Sequence, residues 1–423
     1  MMLAFVLLGC ENSSEDIYRY ARLKSEYKNY PVYLDISLIG NIQVKQQLPL
    51  TEPFKIVYND KYCFVGDRLR GIHVYEKKAG SPVYLCFIEC RYITDFEVAG
   101  NQLFCNNLVD MLVLDVSNPL LTTILHRQKY HFNRYTEYKE YWNFPYVDGK
   151  GLIVGEETHV LTDTVTDQKP ELDFSEFDQL YGFLTSTAVP PGWFSNQPGD
   201  DRPFPGIISL GTDEMYTYGS YNSWAICTYR GGYFNVNEKN LWSTPRGNYA
   251  PPYYYSNAYP AHMFFEDNMI YIMGYLSYTQ AGYCDCLVYS KSIPFSYQLY
   301  FPDFRPLDVC YMPALNAFMA LSDNSVWGVF ISGDAASGFK TTYKDYLVST
   351  GALQIVRVGD QLLTLGDDLE IYSVTQNELS LVKKYPGISG MCCQKQDNLL
   401  TVASTQGLFL YDITNPENIQ LIP

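Results

Sequence analysis

The stretch Leu408-Phe409-Leu410-Tyr411-Asp412-Ile413-Thr414-Asn415-Pro416 returns upstream, closely as Met111-Leu112-Val113-Leu114-Asp115-Val116-Ser117-Asn118-Pro119 and in degraded form as Leu369-Glu370-Ile371-Tyr372-Ser373-Val374-Thr375. It is the unit of a repeat. Around it runs a turn register, two polar or Gly residues followed by an apolar pair, anchored at Asp60, Asn101, Lys150, Asp213, Asp267, Asn316, Asp360 and Asp397. Successive anchors lie 41, 49, 63, 54, 49, 44 and 37 residues apart, and a period in the forties is that of four-stranded propeller blades. Within the last two units, Ile355 to Val358, Leu362 to Leu365, Leu369 to Val374 and Leu379 to Lys383 form strand patterns joined by Gly, Asp and Asn turns. These runs are apolar at most positions instead of alternating, so both faces are expected to be buried, as stacked blades require.

The expected fold is therefore an all-β propeller of four-stranded blades over residues 31–423, with eight blades preferred and seven the alternative. Composition agrees: 39 Tyr and 23 Phe enrich the chain in strand-favouring aromatics. The formal net charge of -16 sets up a field that repels phosphate backbones, so nucleic acid is a poor partner. The eleven cysteines follow no disulfide or zinc spacing and sit in apolar runs such as Tyr62-Cys63-Phe64-Val65, so they are expected to pack as small hydrophobes.

The N-terminus has a different character. Residues 1–9 end an apolar run at Leu7-Leu8-Gly9-Cys10, which resembles a bacterial lipobox, with Cys10 as the acylated residue and the preceding nine as a processing segment. Glu11 to Asp16 is polar and acidic, a solvated tether that looks like the segment directing lipoproteins of Bacteroides-like bacteria to the outer face of the outer membrane. Residues 10–30 are expected to be this tether followed by a short helix over 17–30, where Tyr20, Leu23 and Tyr27 are spaced by three and four.

The wide anchor gaps place insertions around residues 130–260. Tyr138, Tyr141, Trp142, Phe144 and Tyr146 cluster in one, Trp193 and Phe194 lie in a Pro-rich stretch, and Tyr253, Tyr254, Tyr255 and Tyr259 crowd a third. Rings with a polar tip suit glycans and protein surfaces, and they also suit loops that fold back over a ring. The candidate ligand-binding residues are Tyr141, Trp142, Tyr146, Trp193, Phe194, Tyr253, Tyr254 and Tyr255.

Taken together, the two Asp-Asn-Pro stretches, Gly71-Ile72-His73-Val74-Tyr75 and the approach through Lys24-Ser25-Glu26-Tyr27-Lys28-Asn29 and Gln47-Leu48-Pro49-Leu50 resemble the LVIVD-repeat propeller lipoproteins of Bacteroides-like bacteria. The resemblance covers roughly residues 24–125 and 353–423; it implies a surface-attached propeller and supplies no catalytic residues. Tyr75 and Ser373 stand where the family's strand carries Asp, which points to a structural role for that Asp.

No catalytic constellation emerges. The five histidines show no ligand spacing, and there is no phosphate loop or nucleophile elbow. Acidic neighbours such as Asp200-Asp201 and the series Asp163, Asp167, Glu171, Asp173 are expected to be solvated loop residues, without the glycine and terminal Glu of a calcium loop. The expectation is a non-catalytic cell-surface lipoprotein for recognition or scaffolding, with a glycan or protein partner, a lipid anchor, no metal and no cofactor. A carbohydrate-active enzyme, hydrolase or lyase, with its site at the propeller axis is the alternative.

Overall fold

The computed structural model describes residues 22–78, 82–108, 110–129, 146–147, 149–166, 169, 171–175, eight strands between 207 and 300, and 307–422 apart from 323–324, 335–337 and 347–350. The chain is all-β. Its strands are β1 (Arg22–Leu34), β2 (Gln43–Lys45), β3 (Pro53–Tyr58), β4 (Tyr62–Asp67), β5 (Gly71–Glu76), β6 (Val83–Glu89), β7 (Phe96–Ala99), β8 (Gln102–Asn107), β9 (Asp110–Asp115) and β10 (Thr123–Gln128). Next come β11 (Tyr146–Val147), β12 (Gly151–Val165), β13 (Ile207–Leu210), β14 (Met215–Gly219), β15 (Ser223–Arg230), β16 (Tyr233–Asn237), β17 (Ala258–Glu266), β18 (Met269–Tyr278), β19 (Ala281–Ser290) and β20 (Ser296–Tyr300). The last twelve are β21 (Asp308–Met312), β22 (Ala317–Leu321), β23 (Val326–Asp334), β24 (Gly338–Asp345), β25 (Ala352–Val358), β26 (Gln361–Gly366), β27 (Leu369–Val374), β28 (Leu379–Tyr385), β29 (Cys392–Gln396), β30 (Leu399–Ser404), β31 (Gly407–Asp412) and β32 (Gln420–Ile422).

Six sheets are four-stranded antiparallel meanders in chain order: β7 to β10, β13 to β16, β17 to β20, β21 to β24, β25 to β28 and β29 to β32. The sheet of β3 to β6 has the same order and gains β2 as a fifth strand on β6. All seven of these begin with a hairpin whose second strand follows one of the sequence anchors, Asp60, Asn101, Asp213, Asp267, Asn316, Asp360 or Asp397. Asn316 and Asp397 adopt left-handed φ of 45° and 52° there, a conformation that Asn and Asp tolerate better than other side chains.

Lys150 instead precedes β12 of a three-stranded sheet, ordered β1-β12-β11. This corrects the helix expected over residues 17–30, because residues 22–34 form strand β1. Leu23 and Tyr27 do share a helical face, but Pro31 would end such a helix and thirteen residues pair instead with β12, from Arg22 opposite Val165 to Leu34 opposite Leu152. The partner strand carries Ile153, Val154, Thr158, Val160, Thr162 and Thr164, and tertiary pairing overrides a weak local preference.

The repeat stretch is a strand followed by two side-chain-capped turns. Asp115 accepts from Ser117 N at 2.9 Å and Asp412 from Thr414 N at 2.8 Å, while Asn118 and Asn415 accept from Leu120 N and Glu417 N at 3.2 and 3.1 Å. These bonds lower both Asp carboxyls from their usual range. One register assignment changes: Glu76 lies opposite Tyr62 as Asp115 lies opposite Gln102, so Glu76, and not Tyr75, occupies the Asp place in the first sheet. Tyr75 points into the core.

Apolar clusters lie between neighbouring sheets. One joins Phe64, Ile72 and Ile88 to Phe96, Leu103 and Leu112; another joins Met319 and Val326 to Ile355 and Leu362; a third joins Leu363 and Ile371 to Leu400 and Val402. A fourth brings the last sheet against the first, with Cys392 and Ala403 packed on Leu50, Ile56 and Val65. Cys392 and Cys393 show the two-residue strand period directly, for Cys392 enters this cluster and Cys393 the one on the opposite side. Cys63, Cys86, Cys90, Cys105, Cys310, Cys392 and Cys393 are free and, apart from half-buried Cys310, buried, as expected of small hydrophobes.

First strands of successive sheets are neighbours: β3 with β7, β7 with β13, β13 with β17, β17 with β21, β21 with β25, β25 with β29, and β29 with β3. Polar ties cross several of these seams. Lys55 Nζ reaches Asp95 Oδ1 at 2.8 Å, Ile355 N donates to Asp308 at 2.9 Å, and Cys393 N donates to Gln354 at 2.6 Å. Tyr58 OH and Thr401 Oγ1 are hydrogen-bonded across the seam between last and first sheets.

Candidate functional site

In an antiparallel meander the second and fourth strands run opposite to the first and third. The turn from second to third strand and the connection from fourth strand to the next sheet's first strand therefore leave from one end of the sheet. That end holds the buried polar groups. Asp67 closes β4, and its carboxylate accepts from Glu52 N at 2.7 Å, Thr51 Oγ1 at 2.8 Å, Arg70 Nη1 at 2.7 Å, His73 Nε2 at 3.2 Å and, weakly, Thr51 N at 3.3 Å. Burial alone would raise this carboxyl; the hydrogen bonds from His73, Glu52 N and Thr51 and the Arg70 charge outweigh it and hold it at about 2.

His73 Nδ1 lies 3.2 Å from Tyr84 OH, which accepts from Leu48 N at 3.3 Å. A carboxylate, an imidazole and a phenol in line resemble a proton relay. Here, however, Asp67 and His73 are both 0% exposed, so no substrate reaches the imidazole. Burial also raises the Tyr84 hydroxyl, against use as a base. The chain locks β4, β5 and β6 to the segment entering β3.

Equivalent locks stand beside it. Asn106 accepts from Thr94 N and Asp95 N at 2.8 and 2.9 Å and donates to Tyr92 O and Leu108 O at 3.3 and 3.1 Å. Asp110 takes a two-pronged bond from Arg127 at 2.6 and 2.7 Å. In the sixth meander Lys384 bridges Asp368 and the buried Glu370 at 3.0 and 2.8 Å, and Glu370 also accepts from Tyr372 OH. Leu69, Tyr92 and Leu108 adopt left-handed φ of 61°, 60° and 58°, and are held by Leu69 N to Ile93 O, Tyr92 N to Leu69 O and Leu108 N to Tyr92 O. Bulky residues in that region are strained and persist only where the surroundings fix them. Sequence reasoning missed this set; Asp67 and Asn106-Asn107 closing apolar strands were the available signal.

Tyr146 opens β11 and pairs with Leu152. Tyr141, Trp142, Trp193, Phe194, Tyr253, Tyr254 and Tyr255, together with Cys10, lie outside the described residues. The strands that bracket them are described. Residues 129–206, which include β11 and β12 of the three-stranded sheet, connect fourth strand β10 to first strand β13, and residues 238–257 connect β16 to β17. Both connections are of the type that leaves from the end carrying the Asp67 and Asn106 networks.

Of the acidic series, Asp163 is exposed on β12 and Asp173 caps Ser175 N at 3.0 Å. Among the described residues no three His, Cys, Asp or Glu side chains gather in a metal-binding arrangement. On the first strands, Lys55 lies between Asp95 and Glu97 at 2.8 and 3.4 Å. Burial raises the Glu97 carboxyl although the Lys55 charge opposes it.

No family model and no curated protein matches the chain. Among solved structures it is similar to a chain of the mitotic checkpoint complex, with 10% identity, 96% of this chain and 97% of the other covered, and a TM-score of 0.47. It is also similar to the computationally designed Ika8 protein, with 8% identity, 87% and 98% covered, and a TM-score of 0.44. At TM-scores below 0.5 neither likeness bears on fold or function.

Proposed function

We propose that the seven meander sheets close into a seven-bladed propeller and that the protein is a non-catalytic recognition or scaffolding lipoprotein of the cell surface. What supports seven blades is the order of neighbouring first strands, which returns to β3 after seven sheets and leaves the β1-β12-β11 sheet outside the ring. What supports recognition is that the aromatic-rich connections 129–206 and 238–257 leave from the same end of their sheets. A protein or glycan ligand would meet Tyr141, Trp142, Tyr146, Trp193, Phe194 and Tyr253 to Tyr255 on one face. An LVIVD-type propeller anchored through Cys10 to the outer leaflet of the outer membrane is the form of this proposal that the N-terminal residues favour.

The alternative is a carbohydrate-active enzyme working at the ring axis. Its one supporting observation is Glu97 on β7, raised by burial and two residues from Asp95. Both carboxylates share the Lys55 ammonium, which suits a tie between sheets better than a free acid and base.

The test uses a soluble Cys10→Ala form in pull-downs and on a glycan array, beside the triple change Trp142→Ala, Trp193→Ala, Tyr254→Ala. Binding is expected to fall at least tenfold, since three aromatic anchors contribute about 1 kcal/mol or more each. Undiminished binding sinks the aromatic face. Glycan turnover that disappears in Glu97→Gln replaces recognition by catalysis.

A further inference from the structure

Among the described residues, one side and one edge of the three-stranded sheet have no other element against them. Among the described strands β1 pairs only with β12, and β11 covers only the Gly151-Leu152 end of β12. One face of this ribbon is occupied: Lys28 Nζ lies 5.5 and 5.3 Å from the Tyr30 and Phe174 ring centroids, and Tyr30 meets His159 edge to face at 5.5 Å. On the other face Leu23 and Tyr27 are each 73% exposed and Val160 52%. Ser25, whose hydroxyl bonds Thr162 at 2.7 Å, completes an uncharged strip with Thr162 and Thr164. A long strand with an open edge and exposed apolar side chains is a template for another strand.

We infer that the partner is the β1 strand of a second copy, paired antiparallel about a two-fold axis through Ser25. About that residue the core of the stretch, Leu23-Lys24-Ser25-Glu26-Tyr27, is complementary to its own reverse, with Arg22 opposite Lys28 at the two outer ends. Lys24 of one copy then faces Glu26 of the other, twice by symmetry, on the face already carrying the Lys24–Glu26 ion pair. Leu23 faces Tyr27, also twice, on the uncharged face, and Ser25 meets Ser25. Centring on Glu26 sets Glu against Glu and Lys24 against Lys28, and centring on Lys24 sets Lys against Lys, both destabilising; centring on Tyr27 sets Glu26 against Lys28 but puts the exposed Leu23 opposite Pro31, outside a ladder that Pro cannot continue. Centres between residues oppose the charged face to the apolar one. The complementary ladder runs over residues 23–27 and stops short of Pro31, which has no N–H to give. The result is a continuous sheet of β12, β1, β1 and β12 with an isologous interface.

Sedimentation equilibrium on the purified full chain tests this. The wild type is expected at twice the 48.5 kDa chain mass. Lys24→Glu and Glu26→Lys should each shift the equilibrium toward monomer by about tenfold or more, because both facing pairs become like charges. An equimolar mixture of the two variants should regain the dimer, since each facing pair then sets a glutamate of one copy against a lysine of the other. If circular dichroism shows either single variant unfolded, the double change Lys24→Glu, Glu26→Lys serves instead and is expected to dimerise as the wild type does. A monomeric wild type, single variants that stay dimeric, or a mixture or double variant that fails to pair overturns the proposal.

Discussion

Asp67 is fully buried and takes five donors, from Thr51 N and Oγ1, Glu52 N, Arg70 and His73. Its carboxyl sits at about 2 against an ordinary 3.8, so the folded state favours the ionised form. The resulting stabilisation is fully present above the unfolded value and disappears as pH falls through 3.8 toward 2. It amounts to about 2 kcal/mol. Asp67→Ala removes it and strands the buried His73 and Thr51 donors, so denaturant unfolding at pH 7 should show a loss of about 3 kcal/mol. The variant's stability should also depend less on pH between about 4 and about 2 than the wild type's. An unchanged acid limb would disprove the role given to this carboxylate. Asp412, by contrast, is half-buried and only caps a turn, which is why its replacement in other copies of the repeat is tolerated.

At the scale of the element, four of the first hairpins depend on turn residues that accept positive φ, at Gly100, Asn316, Gly359 and Asp397. Asp397 does so at 52° between β29 and β30 without help from a Gly. Asp397→Val should cost about 1–2 kcal/mol, because a β-branched side chain is poorly accommodated there. Asp397→Gly should match or exceed wild-type stability; thermal unfolding of the pair measures the difference. A Val variant as stable as wild type would mean that the turn reshapes freely. β1 shows the opposite hierarchy, since nothing local marks it as a strand. Its spacing of Leu23 and Tyr27 fits a helix, and only pairing with β12, more than a hundred residues downstream even at the near end where Leu34 meets Leu152, makes it extended.

Across the whole molecule, the last sheet completes the burial of the first, with Cys392, Ala403 and Tyr58–Thr401 joining them. Removing residues 392–422 should therefore expose Leu50, Ile56 and Val65 and loosen β3 to β5, at the far end of the sequence. Hydrogen exchange in β3 to β5 should accelerate along with that in the neighbouring β25 to β28. Protection retained in β3 to β5 would show that the first sheet does not depend on the last.

The sequence by itself determined the repeat, the hairpin registers and the all-β class, because each is written in local currency: apolar strands with both faces buried, such as Leu362 to Leu365, and turns at Asp360 or Asn316 that permit the required backbone. It also marked the cysteines as packing residues. What only the tertiary structure decided depends on partners far apart in the chain. Lys150 leads into a three-stranded sheet because β1 reaches β12 from more than a hundred residues upstream. His73 is shut in because Asp67, Tyr84 and residues 48–52 close around it. The Leu23-Ser25-Tyr27 strip is bare because the other face of the same ribbon is the one that Phe174 covers. Such distinctions turn on which face of a strand meets another element, and a strand's own pattern names its two faces without saying what will lie against either.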